Sequence, residues 1–97
     1  MKLSKKNIEA LKSYFSSKPV KRAYLFGSYS RGEAKATSDV DILVELDHTH
    51  PIGLRFFQFK DELQELLARK VDLISEEGLS VHVRPFVVKD RILIYER

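Results

Sequence analysis

Apolar positions along the chain follow two periods, and the switches between them outline the fold. Ile8, Leu11, Tyr14 and Phe15 recur at helical spacing and predict a helix over Ser4 to Phe15, with Ser4 as its N-cap. Ser16 to Pro19 ends it, because the residue before a proline avoids the helical region. Val20 to Phe26 reads as a strand, rich in β-branched and aromatic residues. Gly27-Ser28 stops it, and Ser28 to Ala34 reads as a short helix or turn. Val40 to Leu46 is the clearest strand, with Val40, Ile42 and Val44 on one face and Asp39, Asp41, Leu43 and Glu45 on the other.

After a polar loop from Asp47 to Gly53, a helix runs to about Arg69, with Ile52, Phe56, Phe59, Leu63, Leu66 and Leu67 on one stripe. Leu54 and Phe57 fall off that stripe, which suits either a partner surface or packing beneath a terminal segment. Val71 to Ser75 is a second short apolar strand, and Glu76 to Gly78 a turn. A helix is expected over Leu79 to Asp90, with Pro85 tolerable only near its first turn, and an edge strand over Ile92 to Tyr95.

The order is an α/β layer, a small mixed sheet with helices packed on it, in one domain spanning residues 1–97. A long helix joins the Val40 and Val71 strands, so they form a βαβ unit and should run parallel. The short connection from Phe26 to Asp39 permits antiparallel pairing of the first two strands. That topology brings Asp39 and Asp41, at the start of one strand, to the same sheet edge as Asp72, at the start of its parallel neighbour. Gly27 and Ser28, at the finish of the antiparallel strand, arrive there too.

Composition narrows the setting. The chain is 43% hydrophobic and 32% charged, in the range of globular proteins. No stretch approaches the ~18 apolar residues that cross a membrane, and cysteine is absent, so disulfides and thiolate zinc sites are excluded. A cytoplasmic setting fits. The net charge of +3 is spread rather than clustered and selects no partner; nucleic acid in particular has no basic stripe to bind. His48 and His50 share a polar loop with no further ligand nearby and read as solvated, and His82 reads as structural.

The chemistry lies with the acids. Asp39-x-Asp41 alone reads more readily as a strand-start pair or an Asx turn than as a site. With Asp72 and the Gly27-Ser28 turn at the same edge, it becomes a cluster that repels itself unless a cation neutralises it. Magnesium takes oxygen ligands from few carboxylates plus substrate phosphates, and two such ions about 3.5–4 Å apart suit an in-line phosphoryl displacement. Glycine allows close backbone approach, and the Ser28 hydroxyl suits either a phosphate or a helix cap.

Gly27-Ser28, ten intervening residues and Asp39-Val40-Asp41 have the spacing of the DNA polymerase β-like nucleotidyltransferase superfamily. The run from Gly27 to Glu45 resembles its minimal nucleotidyltransferase (MNT) group, and the later Val71-Asp72-Leu73 agrees. The resemblance implies a polymerase β-like palm fold that uses two Mg2+ ions and ATP or another NTP. Asp39 and Asp41 would bind both metals, and Asp72 would complete the site and help activate the attacking hydroxyl. Gly27 and Ser28 would hold the β- and γ-phosphates, with Arg31 and, outside the matched core, Lys35 neutralising charge. MNT proteins act as antitoxins of HEPN-family toxins, in some cases by adenylylating a toxin tyrosine, so a HEPN toxin is the implied partner. Two other functions remain open: a non-catalytic module that neutralises its partner by complex formation, and a nucleic-acid-modifying transferase.

Overall fold

The computed structural model describes residues 3–35, 37–49 and 52–97. Its elements are α1 (Lys5–Ser16), β1 (Val20–Phe26), α2 (Ser28–Arg31), β2 (Val40–Leu46), α3 (Arg55–Leu67), β3 (Val71–Ser75), a 3-10 turn at Glu76–Gly78, α4 (Arg84–Asp90) and β4 (Ile92–Glu96). The four strands form one mixed sheet in the order β3-β2-β1-β4. β2 and β3 are parallel, β1 is antiparallel to β2, and β4 pairs antiparallel with β1 at the edge. The parallel β2–β3 pair and the antiparallel β1–β2 pair are those expected from their connections, and the antiparallel pairing of β4 with β1 is added by the structure.

α1 and α3 cover one sheet face. Ser4 caps α1, its hydroxyl accepting the Asn7 amide at 3.1 Å, and Leu11 and Phe15 enter the core four residues apart. They pack with Ala23 and Leu25 of β1, Val40, Ile42 and Val44 of β2, Val71 and Leu73 of β3, and Phe59, Leu63 and Leu67 of α3. Burying a side chain of this size stabilises by ~1.5–3 kcal/mol, so this layer holds the sheet flat against its helices.

The opposite face belongs to α4 and the site. Leu43 and Val87 are buried outside the main cluster, and the Arg91 guanidinium lies 4.4 Å from the Tyr24 ring. Tyr24 is opposite Leu43 in the register, so α4 lies across that side of the sheet.

Several boundaries differ from expectation for local reasons. α2 stops at Arg31 rather than Ala34 because Gly32 turns left-handed (φ 72°). α3 ends at Leu67 because Ala68 adopts φ 52°, and Leu66 is exposed rather than part of the buried stripe. α4 starts at Arg84, later than Leu79, with Pro85 in its first turn where a missing N–H costs nothing. His82 is exposed before α4 and has no structural role of the kind expected. His48 is not simply solvated: its Nε2 lies 2.7 Å from Glu77 Oε1. His50 lies outside the described residues.

Candidate active site

β1 delivers the glycine turn to the edge where β2 and β3 begin. Phe26 is opposite Asp41 in the antiparallel register, and Asp41 is opposite Asp72 in the parallel one. Side chains alternate along a strand, so the residue-41 and residue-72 carboxylates leave from the same face. Asp39 precedes Asp41 by two residues and shares that side. The β2 and β3 starts are tied together by the Val40 amide, which donates to the Lys70 carbonyl at 2.9 Å.

Gly27 sits directly against Asp41. Its backbone (φ 72°, ψ −149°) occupies a region that only glycine enters freely. A β-carbon there would overlap the Asp41 carboxylate, so no other residue fits without moving it. The Gly27 carbonyl accepts from the Ser30 amide (3.1 Å), the Arg31 amide (3.2 Å) and the Ser30 hydroxyl (2.8 Å), which closes the turn into α2. Gly27, not Ser28, is the N-cap, and no side chain caps this helix. Ser28 is half-buried at the first helical position, and buried Tyr29 anchors the turn beneath it.

The electrostatics match the placement. Burial first, then the like charges of Asp72 and Asp39, push the Asp41 carboxyl up to about 6, while the Arg31 cation pulls the other way. Asp41 thus feels both of the other acids, with Arg31 as a counter-charge. Among the described residues, no group of three or more acidic or histidine side chains is gathered closely enough to hold a metal ion. The donor set nonetheless fits magnesium: hard carboxylate oxygens on one face, and one carboxylate that burial and like charges leave poorly stabilised.

Arg31 itself is held by two carboxylates. Its Nε donates to Glu33 at 3.1 Å and its Nη1 to Asp90, the last residue of α4, also at 3.1 Å. Lys35 is exposed, and its backbone amide donates to the Ser38 hydroxyl at 2.9 Å in the turn leading to Asp39. Asp90 belongs to no motif in the sequence and is brought to Arg31 only by the fold. One signal was there: an acid at a helix C-terminus is disfavoured by the exposed carbonyls and calls for a cation.

The chain resembles known proteins in sequence and in fold. A family model described as nucleotidyltransferase domain matches residues 4–94. Protein adenylyltransferase MntA of Thermococcus cleftensis is 37% identical over 75 residues, which are 77% of this chain and 75% of that protein. A crystal structure of a toxin–antitoxin with AMP-PNP aligns with a TM-score of 0.81 at 25% identity, over 94% of this chain and 74% of that one. A tri-AMPylated Shewanella oneidensis HEPN toxin in complex with MNT antitoxin provides a further match, at a TM-score of 0.73 and 22% identity over 98% of this chain and 74% of that one; it speaks to fold alone.

Proposed function

Since this chain belongs to the nucleotidyltransferase domain family, we propose that it transfers AMP from ATP to a hydroxyl of a protein partner, as the antitoxin of a HEPN-family toxin. The observation that carries this reading is the in-register pairing of Asp41 with Asp72 beside the glycine turn that packs on the Asp41 carboxylate. The adenine preference is supported by the adenylyltransferase name of the MntA relative, and the toxin partner by the toxin–antitoxin with AMP-PNP.

In this reading Asp39, Asp41 and Asp72 would hold two magnesium ions, which supply charge neutralisation and polarise the phosphoryl group when bound. The Gly27-Ser28 turn receives the β- and γ-phosphates, with the Ser28 hydroxyl donating to a phosphate oxygen, while the glycine lets the turn lie against the Asp41 carboxylate. Arg31 offsets part of the triphosphate charge. Asp72, the exposed acid on the outer strand, accepts the proton of the acceptor hydroxyl as its oxygen attacks the α-phosphorus. The bond from that phosphorus to the bridging oxygen breaks, pyrophosphate leaves, and AMP stays on the acceptor. The acceptor arrives on another molecule, and the outward-facing Leu54 and Phe57 offer it apolar surface. No described helix is long and apolar enough to cross a membrane, and we assign the reaction to the cytoplasm, where ATP is abundant.

The test is incubation of the purified chain with magnesium, its HEPN partner and ATP labelled at the α-phosphate. Label should appear on the partner and vanish with Asp39→Ala or Asp41→Ala. Tight inhibition of the toxin with no label transferred would instead make the chain a non-catalytic binding module.

A further inference from the structure

Arg31 ends α2, the helix that opens at Gly27 against the Asp41 carboxylate, and its amide donates to the Gly27 carbonyl at 3.2 Å. A long, half-exposed arginine side chain placed there would ordinarily sample many rotamers, and ordering it on substrate arrival costs conformational entropy. This one is already ordered. Glu33, two residues away, takes the Nε hydrogen, and Asp90, from an element 59 residues distant, takes one on Nη1. A guanidinium has five N–H donors in a rigid plane, so two fixed carboxylates set its orientation and leave three donors for a third anion.

Asp90 occupies a costly place for an acid, the C-terminal residue of α4, whose exposed carbonyls repel it. α4 is itself anchored by buried Val87 and by Arg84, which donates to the Glu76 carbonyl of the 3-10 turn at 3.1 Å, and Arg91, just after it, lies over the Tyr24 ring of β1. The carboxylate therefore stands on a fixed support, and its partner is the one cation of the phosphate-turn helix α2.

We propose that Asp90 is a positioning residue for nucleotide binding: from α4 it holds the Arg31 guanidinium at the carboxylate site, pre-aimed at the triphosphate. The inference rests on the reading of Arg31 as a triphosphate ligand. It also makes α4 part of the nucleotide site through its ion pair with Arg31.

Titration of the full chain with AMP-PNP and magnesium tests it through a double-mutant cycle. Asp90→Asn should weaken AMP-PNP binding by roughly three- to fivefold, the range of a partly exposed ion pair, with the melting transition still cooperative. Asp90→Glu, which keeps the charge, should restore most of the affinity. In an Arg31→Gln background, Asp90→Asn should have no further effect. Tighter binding by Asp90→Asn would mean that Asp90 competes with the nucleotide, and the inference would be overturned. An equal loss in the Arg31→Gln background would overturn it as well, because Asp90 would then act by another route. If Arg31→Gln alone leaves affinity unchanged, the phosphate role of Arg31 falls and this inference with it, while label transfer to the partner still judges the proposed reaction separately.

Discussion

Asp41 is held in electrostatic tension, because burial and two neighbouring acids oppose its ionisation. Its folded-state pKa of about 6 stands above the ordinary 3.8, so the folded protein binds this proton more tightly than the unfolded chain. The stabilisation linked to that proton is complete below pH ~4 and is lost as pH rises through ~6. Metal-free Asp41→Asn should therefore be more stable than the parent at pH 7, by about 1 kcal/mol after allowing for solvent screening of a half-exposed group. Thermal melts from pH 4 to 7 check this: the gap should close as pH falls, and a mutant that is less stable at pH 7 would contradict it. Gly27 makes a second residue-scale case. Gly27→Ala must adopt a backbone region costing ~1–3 kcal/mol and also displace the Asp41 carboxylate, whereas Gly32→Ala meets open space at φ 72°. Urea unfolding should show the larger loss at Gly27, and equal losses would remove Asp41 from the explanation.

At the scale of elements, the strands were legible almost residue for residue. β1, β2 and β3 are runs of β-branched and aromatic residues bounded by Pro19, Gly27 and the Glu76–Gly78 turn, and chain order with the βαβ rule then set their directions. The acids could be placed from that alone, since direction decides which strand ends coincide. Helix ends were less legible, because Gly32 and Ala68 stop helices by left-handed geometry that periodicity does not display. Long-range polar pairs were not legible at all. Asp47 looked like part of a polar loop, but it is buried, accepts from the Thr49 amide and hydroxyl, and meets Arg97 at 2.6 Å, fastening the end of β2 to the end of β4. The Arg97 and Thr49 bonds hold the Asp47 carboxyl well below the usual range, so its contribution is present at neutral pH and is lost as pH falls below ~4. Arg97→Ala should raise the pH of acid unfolding. Acid titration followed by circular dichroism measures this, and an unchanged midpoint would show that Thr49 alone holds the carboxylate.

Across the whole molecule, the two sheet faces divide the labour. One is sealed by α1 and α3 and supplies the stability; the other carries the acid pair, the glycine turn and the short helix that braces Arg31. The outer side of the Val81–Leu93 stretch is apolar, with Val81, Phe86 and Leu93 exposed, in addition to Leu54 and Phe57, whose exposure their position off the helical stripe predicts. Val81 precedes α4, Phe86 lies on its outer side and Leu93 is on the edge strand β4. The account depends most on the open face. Its most direct test is a crystal of the chain grown with manganese and AMP-PNP, in which anomalous scattering locates the metal. Manganese held by Asp39 and Asp41 with Asp72 beside it, and a triphosphate on the Gly27-Ser28 turn, is the predicted result. Nucleotide or metal bound away from Asp41 and Asp72 would contradict it.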